Sequence, residues 1–186
     1  MNRFALALAA AIAILAPAAF AADAAKADAA KAEEKRQAIL KMRDETLERL
    51  YKEQPDARSV IEKGSGYAVF DATGVNLVLY VGGKGSGVLV DKASEKPVYM
   101  SMVRAGTGPG LGYKEFKQVI VFKNKKAIEL FQTTGVDVGT SFDFGKVLAK
   151  GQSFHPDFTL YTITERGFTV QANWGGTKYF KDAELN

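Results

Sequence analysis

Alternating glycines are the first feature of the sequence that could take part in binding. They form two series, Gly83, Gly85 and Gly87, then Gly106, Gly108, Gly110 and Gly112. Neither series has the spacing of a phosphate-binding P-loop, and a dinucleotide fingerprint would need glycine where Val88 or Leu111 stands. In an extended chain, every glycine of a series lies on one face, which a backbone, an aromatic ring or an acyl chain can approach. Two interpretations stay open: a tightly coiled sheet that needs glycine to bend or pack, or a smooth groove for a ligand.

A group of lysines is the second feature. Within thirteen residues there is one acidic residue, Glu115, and five lysines: Lys114, Lys117, Lys123, Lys125 and Lys126. Three of the lysines surround Asn124, a residue type that caps helices. Free backbone N–H groups and the helix dipole favour an anion at such a cap, so a phosphate head group would fit there. The alternative interpretation is a solvated surface, the ordinary role of a lysine run.

Catalytic and metal-binding chemistry has few candidate residues. The chain has one histidine, His155, and no cysteine, which excludes a thiol nucleophile and thiolate metal ligands. No serine stands in a Gly-x-Ser-x-Gly elbow, and the carboxylates lack the spacing of a calcium loop. We therefore predict no catalytic residue, no metal site and no cofactor, in a protein that is not an enzyme. A hydrolase that uses His155 is a minor alternative.

The start of the chain has the features of a cleavable secretory signal. A basic residue, Arg3, precedes an apolar run over residues 4–15, which is followed by Pro17 and the small-residue site Ala19-Phe20-Ala21. The apolar run is shorter than the roughly 20 residues that cross a bilayer. We expect cleavage after Ala21 and a periplasmic or secreted protein, without the cysteine that a lipoprotein anchor requires.

The remaining residues are enough for one domain with its own core. An Ala/Lys-rich tether is predicted over residues 22–35 and a single domain over residues 36–186, after the signal peptide of residues 1–21. The net charge of the full sequence is +4, which is too small to indicate a nucleic-acid-binding protein.

The hydrophobic pattern predicts helices first and strands afterwards. Large apolar residues on one side of residues 36–52 predict a docked helix, and a short second helix starts at Pro55 and ends at Gly64. Asn124 begins a mid-chain helix that Gly135 ends. Strands are predicted over residues 66–70, 75–81, 86–91, 98–104, 117–122, 158–164 and 168–174, and no element over 139–156. The predicted class is α+β, with N-terminal helices and a mainly antiparallel, strongly coiled or barrel-like sheet.

Five segments resemble the SYLF domain family in their order and spacing. They are residues 63–70 (KGSGYAVF), 82–90 (GGKGSGVLV), 108–112 (GPGLG), 119–124 (VIVFKN) and 176–186 (GTKYFKDAELN). The resemblance covers nearly all of the chain after the tether. It implies lipid binding, because eukaryotic members bind phosphoinositides, some also acting on actin, and bacterial members are generally exported lipid-binding proteins. Actin is not an expected partner of an exported chain.

The resulting hypothesis is a non-enzymatic domain at the periplasmic membrane surface that binds anionic phospholipid or phosphoinositide-like head groups. The candidate contacts are the five lysines above and six glycines, Gly83, Gly85, Gly87, Gly108, Gly110 and Gly112. The alternative is a structural or protein-interaction domain of the cell envelope. Nucleic acid is not an expected partner.

Overall fold

A computed structural model describes residues 16–94, 96–134, 152–155, 157–171 and 174–186. The elements are α1 (Ala16–Glu53), α2 (Asp56–Lys63), β1 (Gly66–Asp91), β2 (Pro97–Phe122), α3 (Lys125–Thr134), β3 (Gln152–His155), β4 (Phe158–Gln171) and β5 (Trp174–Lys181). The strand order is β1-β2-β4-β3, with β5 also paired to β2, and every pairing between these strands is antiparallel. The predicted α+β class is confirmed. Of the two predicted shapes the sheet takes the coiled one, since the described strands do not close into a barrel.

The sheet folds in half across its long strands, at a position we call the bend. The pairing of β1 with β2 passes from Val78↔Gly110 to Tyr80↔Thr107, so β2 has one extra residue there. Val78 has a φ of 60°, which is rare for a β-branched residue. At the same level the second partner strand of β2 changes. On the side away from β1, β2 pairs with β5 up to Thr107 and with β4 from Gly110 onward. We call the side with β4 the first arm and the side with β5 the second arm.

The main core lies between the two arms. The face of each arm that is turned toward the other, here the inner face, supplies a cluster of buried aromatic rings. Phe70 of the first arm lies 4.8 Å from Tyr179 of the second, measured between ring centroids. Helix α3 packs into the same cluster, with Phe131 4.9 Å from Tyr179 and 5.0 Å from Phe122. Burial of these rings holds the folded sheet together.

The N-terminal helices cover the outer face of the sheet. Leu50 of α1 and Ile61 of α2 pack with Val119 of β2 in a second buried cluster. Further toward its start, α1 packs Ile39 against the second arm, and the Nε of Arg36 donates a 2.8 Å hydrogen bond to the carbonyl oxygen of Leu185. The helix predicted over residues 36–52 is therefore docked as expected.

Helix α1 is longer than the predicted docked helix. It runs from Ala16 to Glu53 without interruption and includes the whole segment predicted as a tether, of which residues 26–31 are exposed. Within the described residues, no helix combines the length and apolarity required to span a bilayer. Most of the predicted signal segment, residues 1–15, lies outside the described residues.

Candidate functional site

The first glycine series is where the two arms touch. A Cβ on Gly83 would lie 2.8 Å from the carbonyl oxygen of Thr73, and one on Gly87 would lie 2.2 Å from that of Val69. Both distances are below any ordinary van der Waals contact, so only glycine fits. Of the two interpretations of this series, the structure favours close packing of a folded sheet. The space that a ligand would need beside Gly83, Gly85 and Gly87 holds backbone and the ring of Phe70.

The second glycine series lies at the bend itself. Gly110 pairs with Val78 and Gln171, Gly112 pairs with Asn76, and Gly108 falls in the extra-residue stretch of β2. Lys114 follows two residues after Gly112, so it shares the inner face with Gly112 and Phe116. Its Nζ lies 5.4 Å from the centroid of the Phe116 ring. The structure therefore brings Gly108, Gly110, Gly112 and Lys114 to one end of the molecule.

An exposed apolar surface covers the outside of the bend. Four consecutive residues of β1 are more than half exposed: Leu77 (58%), Val78 (69%), Leu79 (64%) and Tyr80 (59%). Leu111 of β2 is 64% exposed beside them, and Val75 and Tyr113 extend the surface. Consecutive strand residues alternate between faces, so exposure of four in a row means that both faces of β1 are open here. We call these seven residues the apolar tip, and they form a convex surface.

The inner face behind the apolar tip is polar. Asn76 is fully buried and Thr177 is 8% exposed. Arg104 lies on the inner face two residues beyond the core residue Met102, and it pairs with Gly83 and Thr177 on the neighbouring strands. Its Nε and Nη2 are buried and have no hydrogen-bond partner among the described residues. A cationic side chain is thus held inside the folded sheet near the bend.

The charges around the bend are more basic than acidic. Residues 71–84 and 103–117 contain four basic residues, Lys84, Arg104, Lys114 and Lys117, and two acidic ones, Asp71 and Glu115. Both acids lie on the outer face, because each alternates with an inner-face neighbour, Phe70 or Phe116. Glu115 accepts a 2.7 Å hydrogen bond from the Tyr113 hydroxyl, and this bond raises the pKa of Tyr113.

The remaining predicted lysines lie elsewhere. Lys123, Lys125 and Lys126 are exposed at the start of α3, separated from the bend by the length of β2 after Gly110. At about 3.3 Å per residue that separation is up to about 40 Å. Lys117 lies on the outer face of β2, between the bend and the start of α3. The run that is continuous in the sequence is therefore not one surface in the fold.

Asn124 caps α3 as predicted, and its side chain also binds the carboxylate of Asp157. The Oδ1 of Asn124 accepts a 2.9 Å hydrogen bond from the N–H of Ala127, as an N-cap does. The Nδ2 of Asn124 donates a 2.8 Å hydrogen bond to the Oδ1 of Asp157. A negative group next to the helix start offsets part of the dipole that would attract a phosphate.

The apolar tip and Arg104 were not predicted as site residues. The sequence did contain one signal for the apolar tip. Residues 75–81 are an apolar run without polar alternation, and Gly74 and Gly82 flank it. In the sequence this run resembles an ordinary buried strand. Its exposure depends on the bend, which no local pattern specifies.

His155 ends β3, where its backbone pairs with Phe158. Among the described residues, no group of three or more histidine or carboxylate side chains could hold a metal ion.

Fold and site together define an α+β domain with a folded antiparallel sheet and an exposed apolar surface at its bend. No family model matches the chain. The chain is similar to Beta cell expansion factor A of Aeromonas veronii, with 36% identity over 159 residues that make up 83% of this chain and 60% of that protein. The two proteins are homologous over this region, and the chain spans about three-fifths of the relative's length.

Proposed function

We propose that this chain is a non-enzymatic, lipid-binding SYLF domain that acts at the periplasmic membrane surface and binds anionic phospholipid. The observation that carries the proposal is the apolar tip, seven apolar side chains exposed around one convex bend. The SYLF assignment rests on the five segments described above, and the homology to Beta cell expansion factor A supports it.

The free energy of the apolar tip favours a lipid partner. Large contiguous apolar patches on soluble proteins mark interaction or membrane sites. Full burial of one leucine or valine side chain contributes about 1.5–3 kcal/mol, so insertion of Leu77, Leu79 and Leu111 alone would provide several kcal/mol. A convex tip can enter a fluid layer, whereas a protein partner would need a matching concave groove.

The charge around the bend favours an anionic membrane. A lysine or arginine near an anionic surface contributes about 1 kcal/mol, and residues 71–84 and 103–117 have two more basic than acidic residues. This part of the attraction is screened over about 8–10 Å at ordinary salt. Binding should therefore weaken as salt rises and still keep an apolar component.

Vesicle flotation of the purified chain tests the proposed function. We expect the protein to float with vesicles of phosphatidylglycerol and phosphatidylcholine, and to float less with phosphatidylcholine alone. A matched variant pair locates the contact: Leu77→Ser with Leu79→Ser should reduce flotation, whereas Leu130→Ser, at an exposed leucine of α3, should not. If the folded parent floats with neither vesicle, the proposal is wrong and the structural or protein-interaction role replaces it.

A further inference from the structure

We infer that Arg104 binds a phosphate group inside the bend, with Lys114 on the opposite arm as its second cation. This inference rests on the proposed function and names the head-group contact within it. The ligand chemistry is a phosphate monoester or diester, carried by a lipid or free in solution.

Strand pairing places the two cations on the inner faces of opposite arms, each beside a glycine that touches the other arm. Arg104 pairs with Gly83, and Lys114 pairs with Gly74. A Cβ on Gly83 would lie 3.6 Å from the Cα of Gly74, so these two positions of β1 are in contact. Arg104 and Lys114 each lie one strand further into the sheet, on inner faces that oppose each other at the same level.

Two of the three guanidinium nitrogens of Arg104 lack the partner that their burial requires. An arginine keeps its charge in proteins, and a buried charge without a counter-ion or hydrogen bonds is strongly unfavourable. The buried Nε and Nη2 have no hydrogen-bond partner within the described part of the chain. These two nitrogens belong to the planar fork that binds two oxygens of a phosphate or carboxylate side by side.

No described acidic side chain at this level can supply the missing charge. Asp71 is exposed on the outer face, and Glu115 lies on that face with the Tyr113 hydroxyl. The inner face around Arg104 has glycine at Gly74, Gly83, Gly106 and Gly112, so no side chain from these positions can bond to its guanidinium. On this inference, the partner that the described residues do not supply is an anion from outside the chain. The apolar tip in front of Arg104 would place a lipid phosphate within reach.

Two soluble probes and one membrane-bound probe test the site, with one variant and one control. Arg104→Met keeps the length of the side chain and removes its charge. Lys84→Met removes one charge from the exposed outer face of the same arm and is the matched control. Calorimetry measures binding of inorganic phosphate and of soluble short-chain phosphatidic acid, and flotation measures binding to vesicles that contain long-chain phosphatidic acid.

The expected result is a loss specific to Arg104. Removal of a charged hydrogen-bond partner should weaken binding of the phosphate probe by about 10–100-fold in Arg104→Met, and by much less in Lys84→Met. If only the lipid probes show the loss, the ligand is a lipid head group. If inorganic phosphate shows it as well, the site accepts any phosphate group.

A melting measurement without ligand separates a binding role from a structural one. Replacement of an unpaired buried charge by an apolar side chain stabilises a protein, so Arg104→Met should melt a few degrees above the parent. The inference is overturned if Arg104→Met is folded and binds every probe as the parent does, or if it melts below the parent. If the parent itself does not float with any vesicle, the proposed function fails instead.

Discussion

A Cβ added to Gly85 would lie 2.6 Å from the carbonyl oxygen of Asp71, fourteen residues earlier in the same strand. The two arms of β1 therefore touch through their backbones, and the contact continues at Gly83 and Gly87. This relationship explains why the bend exists: a side chain at any of these positions would push the arms apart. Closure of the arms also brings Arg104 opposite Lys114 and turns residues 77–80 outward.

Gly85→Ala should destabilise the fold, since the new Cβ would also lie 2.9 Å from the Cβ of Ala72. Overpacking of this kind costs about 1–3 kcal/mol, which corresponds to a fall in melting temperature of roughly 2–12 °C. Gly74→Ala is the matched control, because its nearest contacts would be 3.6 and 3.8 Å, ordinary van der Waals distances. Equal melting temperatures for the two variants would disprove the close contact of the arms.

The lysines at the start of α3 give a second prediction. The sequence alone predicts that replacement of Lys123, Lys125 and Lys126 by glutamine lowers vesicle binding. The fold predicts a smaller effect than that of Leu77→Ser with Leu79→Ser, because these lysines are distant from the bend and Asp157 lies beside the helix cap. Flotation of both variants at the same salt decides between them. A larger loss in the lysine variant would move the contact surface to α3.

Partly buried tyrosines predict a loss of stability at high pH. Burial raises the pKa of Tyr67 above its ordinary value of 10.0, while Arg43 lowers this pKa and Asp44 raises it, both by less than burial does. The unfolded chain therefore loses this proton at lower pH than the folded chain. Stability is fully present below about pH 10 and is lost as pH rises through the folded pKa.

Tyr67→Phe should reduce this dependence, because the variant has no proton to lose at that position. Thermal melts from about pH 8 to about pH 11 measure it, and the parent should lose more melting temperature than Tyr67→Phe over this range. Burial also raises the pKa of Tyr51 and Tyr161, so the variant keeps part of the dependence. Parallel curves for parent and variant would contradict the assignment to Tyr67.

The helices and most strand segments could be predicted from local patterns, but the bend could not, and neither could β3, which lies within residues 139–156 where no element is predicted. Three predicted strands over residues 66–91 are one continuous strand, and their glycines, which a local pattern treats as breaks, lie inside it. The alternate spacing of Gly83, Gly85 and Gly87 did indicate an extended segment with one bare face. What covers that face is another part of β1, and no local rule identifies such a distant partner.

The end of the sheet shows the same limit. A strand was predicted over residues 168–174, whereas β4 ends at Gln171 and β5 runs from Trp174 to Lys181. The inner face of β1 could not be assigned along its whole length from the sequence, because its alternation changes register near Val78. Inner-face residues there are even-numbered before the bend and odd-numbered after it. When the inner-face positions of a strand shift by one residue, simple alternation assigns the residues after the shift to the wrong face.

The most direct test of the central claim measures which end of the domain enters the bilayer. The chain has no cysteine, so Leu79→Cys and Lys125→Cys each accept a single environment-sensitive fluorophore. With anionic vesicles, the label at position 79 should shift to shorter wavelength and be quenched by spin-labelled lipid. The label at position 125 should keep its aqueous spectrum. A shift at position 125 with none at position 79 would contradict insertion of the bend.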